Sequence, residues 1–296
     1  MQFHLYLPQM RLSFERLVAI AQVAEAAGFE DMAGMDHMVP PAAEDQPMYE
    51  AMITNTWLAA HTQHLKLSSL VLCDAFRHPG LLARQAVSLD HASGGRFELG
   101  IGWGSYANDF SGFGVEPPEP SARVRRLRET LQVIKGLWAG ETVKHEGEFH
   151  RLSGAFQAPL PLRPIPILIG GAGPKTLALV REFADWCNLD LRHLAKLEGD
   201  RFGEFRAQIG AARISIQHMV AYVPEGADRD AVAEAARRRF GFANPVIGGG
   251  PELVDHFAKL AERGVERVYT WFCDFAPPET VASFGATVIE PLRARL

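Results

Sequence analysis

Three glycines at alternate positions, Gly100, Gly102 and Gly104, close a short apolar segment and are the first residues whose spacing suggests chemistry. A glycine inside a strand costs about 0.5–1 kcal/mol relative to alanine, because it loses more backbone freedom on folding and packs no side chain. Three such positions in so short a stretch are costly unless something approaches the backbone closely. The spacing therefore predicts ligand approach, a tight turn, or both.

A second glycine-rich stretch comprises Gly170, Gly171, Ala172 and Gly173 and lies between an apolar run and a predicted helix that begins near Thr176. Backbone amides at the start of a helix, together with the helix dipole, bind phosphate. The stretch matches neither the Walker loop nor the dinucleotide-binding fingerprint. We predict an anion site here, and the alternative is a plain strand-to-helix turn.

His37 follows Asp36 directly after the second predicted strand. An imidazole exchanges its proton near neutral pH, so a histidine at the rim of a pocket can act as a general acid or base. A lone histidine also commonly caps a helix or packs in a core, and that alternative stays open at this point. The strand-end position favours catalysis, and His37 is the candidate catalytic residue.

Apolar runs and helical patterns alternate along the whole chain. The predicted strands span residues 3–7, 30–35, 65–72, 97–101, 165–169, 186–189, 213–223 and 265–272. The predicted helices include residues 14–27, 79–92, 194–208 and 278–295, with Ser13 as the N-cap of the first. Eight strands, each followed by a helix, indicate an α/β fold of the (β/α)8 barrel type, with a doubly wound open sheet as the alternative.

A parallel barrel binds its ligands at the carboxyl ends of its strands. Several residues near those predicted ends could line an apolar substrate pocket, although barrel core is an equally good reading for Trp271. The predicted pocket residues are Trp103, Tyr106, Asn188, Trp271 and Phe275.

The composition is that of an ordinary globular protein, with 47% hydrophobic and 22% charged residues among 296. We expect one domain over residues 1–296, with excursions at about 105–120 and 141–164. A net charge of −5 argues against nucleic-acid binding, and the absence of a long apolar run argues against a membrane span. Three scattered cysteines predict neither disulfides nor a metal site, and a cytoplasmic location is expected.

The run from Leu82 to Gly104, the pair Phe113-Gly114, residues 123–138 and the segment 169–177 together resemble the luciferase-like monooxygenase superfamily. That superfamily includes bacterial luciferase, alkanesulfonate monooxygenase and deazaflavin-dependent reductases. The resemblance implies a barrel that binds a reduced flavin or a 5-deazaflavin coenzyme at its carboxyl face, with His37 lining the reaction site. It also implies a non-proline cis peptide near residues 72–74. The cofactor-binding residues implied are Cys73, Asp74, Gly102, Gly104, Ser105, Gly170, Gly171, Ala172 and Gly173.

Ser105 departs from the pattern of the deazaflavin-dependent sugar phosphate dehydrogenases. In the family that this chain resembles, those enzymes carry a glutamate at the matching position. The sequence therefore favours a monooxygenase that uses reduced FMN, supplied by a separate flavin reductase, and O2 on a small organic substrate. The alternative is hydride transfer with the deazaflavin coenzyme F420. A non-catalytic flavin-binding subunit and a flavin-free phosphosugar enzyme are further alternatives, and the resemblance implies a homodimer.

Overall fold

The computed structural model describes residues 1–41, 43–104, 106–116, 119–197, 199–241 and 244–296. Short, apolar and largely buried segments form the strands. In chain order these are β1 (Gln2–Tyr6), β2 (Asp31–Gly34), β3 (Lys66–Ser69), β4 (Leu72–Cys73), β5 (Leu99–Gly102), β6 (Val143–Glu146), β7 (Arg151–Ala155), β8 (Ile167–Gly170), β9 (Trp186–Asp190), β10 (Arg213–Tyr222), β11 (Val246–Gly248) and β12 (Arg267–Phe272).

One parallel sheet contains the strands in the order β3-β2-β1-β12-β10-β9-β8-β5-β4, with β11 paired to β10. The sheet closes on itself because β3 meets the chain that enters β5. The Leu67 N–H donates to the Arg96 carbonyl at 3.0 Å, and the Glu98 N–H donates to the Leu67 carbonyl at 3.1 Å. The (β/α)8 barrel is therefore confirmed, and the open-sheet alternative is wrong.

The helices surround the barrel and begin at recognisable signals. Ser13 accepts a hydrogen bond from the Arg16 amide as the N-cap of α1, and Pro79 opens α3 as predicted. The helices are α1 (Phe14–Ala26), α2 (Ala51–His61), α3 (Pro79–Ala92), α4 (Asn108–Ser111), α5 (Pro120–Trp138), α6 (Pro174–Phe183), α7 (Leu191–Ala195), α8 (Asp200–Ile209), α9 (Arg229–Phe240), α10 (Gly250–Glu262), α11 (Pro278–Phe284) and α12 (Glu290–Arg295). A π-helical segment, Gly285–Ile289, joins the last two.

Two predicted elements differ from the structure. The predicted helix over residues 194–208 is two helices, α7 and α8. Gly199, the N-cap of α8, has a φ of +53°, which is outside the helical range, so one helix cannot run through it. The predicted strand over residues 65–72 is divided into β3 and β4, and the peptide bond between Leu70 and Val71 in that gap is cis. The excursion over residues 141–164 contains the antiparallel β6–β7 hairpin.

A buried ion pair crosses the amino-terminal half of the barrel interior. Arg267, the first residue of β12, is 1% exposed, and its Nη1 lies 2.7 Å from Glu98 Oε2. Its guanidinium lies 3.7 Å from the ring centroid of Trp186, and Lys66 reaches Glu98 Oε1 at 2.9 Å. Burial alone would raise the pKa of Glu98, but the charge of Arg267 lowers it to about 2. The carboxylate is therefore ionised, and two cations compensate it.

The glycines of β5 face the segment between β3 and β4. A Cβ atom at Gly100 would lie 2.0 Å from the Ser69 carbonyl oxygen, and one at Gly102 would lie 2.8 Å from Val71 Cγ2. The groups that approach these two glycines, a backbone carbonyl at Gly100 and a valine side chain at Gly102, thus belong to the protein itself. Part of the spacing that suggested ligand approach is explained by this packing.

Gly100→Ala should lower the free energy of unfolding by about 1–3 kcal/mol, because the new methyl group would overlap the Ser69 backbone. Urea unfolding followed by circular dichroism measures the change. Gly203→Ala is the matched control, since Gly203 lies within α8 with no atom within 4 Å of the added Cβ. The control should gain up to about 1 kcal/mol. Equal urea midpoints for the two variants would contradict the close contact between Gly100 and the Ser69 carbonyl.

Candidate functional site

His37 lies just beyond β2 at the carboxyl end of the barrel, with its side chain 28% exposed. Its Nδ1 is 2.6 Å from Oδ2 of Asp109, a carboxylate that is 4% exposed. Oδ1 of the same carboxylate accepts the Met38 amide at 2.8 Å. Because an ionised carboxylate only accepts hydrogen bonds, the Nδ1–H of His37 donates to it, and Nε2 is left as the nitrogen that can take up a proton. The pair has the geometry of an oriented general base.

Asp109 is the residue that the sequence analysis missed. It lies in α4, and 72 positions of chain separate it from His37. Its position a few residues after the β5 glycines was the available signal, since that segment follows a strand end. Nothing in the spacing alone pairs it with one histidine among 11.

The predicted cofactor residues Cys73 and Asp74 direct their side chains into the protein. The Asp74 carboxylate is buried against Arg126 of α5 at 2.5 Å, and burial raises its pKa. Burial also raises the pKa of the Cys73 thiol to about 12, and its Sγ would lie 2.5 Å from a Cβ at Gly104. A contact from this segment to a cofactor would therefore use backbone atoms. The cis peptide lies two residues earlier than the resemblance implied.

The segment between β2 and α2 is fastened at its base by two side chains. The Gln9 amide donates to the Met35 carbonyl at 2.6 Å and to the Tyr49 carbonyl at 2.9 Å. Arg77 holds Asp36 through both guanidinium nitrogens, at 2.5 and 2.8 Å, and bonds Glu50 at 2.5 Å. These contacts fix the chain on both sides of the loop that begins at His37.

The glycine loop after β8 presents open backbone at the start of α6. Gly171 has a φ of +126° and donates its N–H to the Asn188 carbonyl at 3.0 Å. Gly173 is the N-cap of α6, and no side chain caps the amides of the first turn. A Cβ at Gly173 would meet no atom within 4 Å. Uncapped amides beside open space fit the phosphate group of a flavin or deazaflavin.

The predicted pocket residues divide between two sides of the barrel mouth. Tyr106 packs edge-on to His37 with ring centroids 5.6 Å apart, and its hydroxyl donates to Glu44 at 2.7 Å. Trp271 packs against Tyr6 at 5.0 Å. The remaining residues also have defined contacts. Trp103 lies near Arg123, Asn188 accepts a hydrogen bond from the Ser215 hydroxyl, and Phe275 packs against Phe240.

Ser105 lies outside the described residues, so its predicted role stays a prediction. Among the residues that are described, no group of three His, Cys, Asp or Glu side chains is arranged to hold a metal ion. No helix in the same part of the chain has the length and apolar character needed to cross a membrane.

Solved structures and curated proteins resemble this chain. It superimposes on an F420-dependent secondary alcohol dehydrogenase in complex with an F420–acetone adduct, with a TM-score of 0.82, 19% identity and 98% of each chain covered. An EDTA monooxygenase from Chelativorans gives a TM-score of 0.82 at 14% identity, covering 100% of this chain and 94% of the other. These likenesses show the shared fold.

In sequence, the chain is 32% identical over 163 residues to an F420-dependent glucose-6-phosphate dehydrogenase of Gordonia bronchialis, covering 53% of this chain and 47% of the relative. The chain thus spans about half the length of the curated relatives it matches. The model of the family described as luciferase-like monooxygenase matches residues 1–290. The chain therefore belongs to the luciferase-like monooxygenase family.

Proposed function

We propose that the protein is an F420-dependent oxidoreductase that transfers a hydride between the deazaflavin coenzyme and a small organic substrate. The observation that carries this proposal is the His37–Asp109 pair at the barrel mouth, because oxidation of an alcohol by hydride transfer also requires a base for the hydroxyl proton. The relatives named as F420-dependent dehydrogenases support it. They favour the alternative of the sequence analysis over its main expectation, the FMN monooxygenase.

The glycine loop would hold the phosphate group of the coenzyme. The first-turn amides of α6 lack a capping side chain, and Lys175 beside them is exposed. The half-buried Val71 side chain, seated against Gly102, would support the ring from below. When bound, the deazaflavin supplies an acceptor or donor of a hydride.

In the direction of oxidation, His37 takes the hydroxyl proton of the substrate through Nε2. A bound deazaflavin would accept the hydride from the neighbouring carbon–hydrogen bond, which would leave a carbonyl product. Asp109 holds the imidazole in the reactive tautomer and stabilises the imidazolium that results. Reduction of a carbonyl follows the same path in reverse, with His37 as the acid.

A second candidate is a monooxygenase that receives reduced FMN from a separate reductase. The uncapped amides of the glycine loop would donate hydrogen bonds to the phosphate of FMN as well as to that of F420. The similarity in fold to a monooxygenase is consistent with this candidate.

We expect F420 to bind with a dissociation constant at least about tenfold lower than that of FMN, a difference of roughly 1.4 kcal/mol. Fluorescence titration of each cofactor measures the two constants. Anaerobic mixing with reduced FMN, followed by air, should give no transient hydroperoxide absorbance. Tight FMN binding together with that absorbance would establish the second candidate instead.

Gly173→Asp should weaken binding of either cofactor by about tenfold or more, because a carboxylate at the N-cap would occupy the phosphate position and repel it. The helix itself should not suffer, since Asp is a favoured N-cap residue and the site has room for a side chain. Gly173→Ser is the matched control, with a neutral cap of similar size. Equal affinities for the two variants would place the phosphate elsewhere.

Asp109→Asn should lower kcat at least about tenfold while leaving the affinity for F420 unchanged. The amide that replaces the carboxylate can donate to Nδ1 of His37, which moves the ring proton to Nε2 and removes the base. Asp255→Asn, which changes an exposed carboxylate paired with Arg295, is the control. Steady-state kinetics with F420 separates the outcomes. Full activity of both Asp109→Asn and His37→Ala would contradict the role of this pair, whereas F420 binding without turnover by the unchanged protein would favour a non-catalytic subunit.

A further inference from the structure

We propose that a cavity between the ends of β9, β10 and β12 is the substrate subsite, and that it takes an uncharged, largely apolar group about the size of a six-membered carbon ring. A phosphorylated sugar does not fit it. This inference rests on the proposed function, because it names the substrate class for the same barrel mouth. It separates this chain from the glucose-6-phosphate dehydrogenases among its relatives.

The strand register brings the cavity walls together. Met219 of β10 pairs in parallel register with Trp271 of β12, and Gln217 of β10 with Asp190 of β9. All four residues line the cavity. β9 also pairs with β8, whose last residue, Gly170, begins the glycine loop. The cavity is thus one strand away from the predicted phosphate site.

Met219, Trp271 and Leu191 form the apolar part of the cavity walls. Met219 is nearly buried, and Trp271 and Leu191 are half-buried. Trp271 is fixed between Tyr6 and Phe240, whose ring centroids lie 5.0 and 5.4 Å from its own. An aromatic side chain held between two others forms a rigid flat wall, which favours contact with a ring or a branched alkyl group.

Gln217 is the uncharged amide among the residues that line the cavity, and it is half-buried. An amide carries both donors and an acceptor, so it serves a hydroxyl and a carbonyl oxygen equally. That property suits a group that is an alcohol on one side of the reaction and a carbonyl on the other.

The charges at the rim do not favour a phosphate. Arg192 is the cation of the described lining, and it is paired with the Asp190 carboxylate at 3.2 Å. His193 also donates its backbone amide and ring Nδ1 to Asp190, each at 2.8 Å. Burial opposes ionisation of Asp190, but the His193 hydrogen bonds lower its pKa. A phosphate dianion would meet this carboxylate at the entrance.

His218, the histidine of the described lining, adds no positive charge. The His218 ring lies toward α10, where its Nε2 is 2.8 Å from that of His256. Burial, followed by the nearby His256, lowers the pKa of His218 to about 3, so the ring is neutral at physiological pH. The described lining therefore holds one cation and one anion, which compensate each other.

The volume sets the size of the occupant. The cavity measures about 150 Å³. A cavity of about that volume in another protein core takes one benzene molecule. A six-membered carbon ring fills such a space, and a larger substituent would extend past Arg192 into solvent.

The first experiment compares cyclohexanone with glucose 6-phosphate on the purified protein, by saturation-transfer NMR with and without F420. We expect cyclohexanone to bind and glucose 6-phosphate to leave its signal unchanged at equal concentration. Met219→Trp should weaken cyclohexanone binding at least about tenfold by filling the cavity. Leu81→Trp, which adds the same indole at an exposed position of α3, should leave it unchanged.

Met219→Ala provides a second variant that does not add bulk. It should shift the preference toward larger ketones, such as cyclooctanone, because it enlarges the same cavity. Binding of glucose 6-phosphate that Arg192→Ala abolishes, or cyclohexanone binding that is indifferent to both Met219 variants, would overturn the inference.

The F420 titration separates this result from the proposed function. If F420 fails to bind but cyclohexanone binds in a Met219-dependent manner, the proposed function fails and the subsite stands. If F420 binds and the cavity variants have no effect on cyclohexanone, the subsite fails and the proposed function stands.

Discussion

The barrel depends on one buried ion pair, between Arg267 of β12 and Glu98 at the start of β5. In the sheet order these strands are four positions apart, so the pair spans the barrel interior. Removing one partner of such a pair leaves an uncompensated charge in the core, at a cost of about 3–5 kcal/mol. Trp186 covers the guanidinium from β9. The Arg267 guanidinium thus contacts residues from β9 and from the start of the β5 segment.

The amino-terminal end of the barrel interior differs from the mouth. There, Arg267 and Glu98 are buried and paired, and Lys66 adds a second cation. At the carboxyl end, the His37 side chain is partly exposed and the first amides of α6 carry no cap. Groups left partly unsatisfied in this way cost stability, and a protein can keep them where the rest of the fold is securely held.

The sequence was sufficient for the barrel because the signals were local. Ser13, Pro79 and the eight apolar runs each specify their own element, and their alternation implies the topology. The split at Gly199 was missed because a glycine within a helical pattern does not by itself reveal its φ. The Asp109 contact was missed for a different reason. It joins residues on separate strand-to-helix segments, and a single sequence holds no information on that distance.

The loop that starts at His37 has a base that is fastened twice, once by Gln9 and once by Arg77. A loop whose two ends are fixed by the scaffold has already lost most of its closure entropy, so changes in its middle cost the barrel little. His37 and Met38 are held by Asp109, but residues between the two fastenings that make no such contact are open to variation during evolution. The same barrel and the same base can accept a succession of different loops, and with them a succession of substrates.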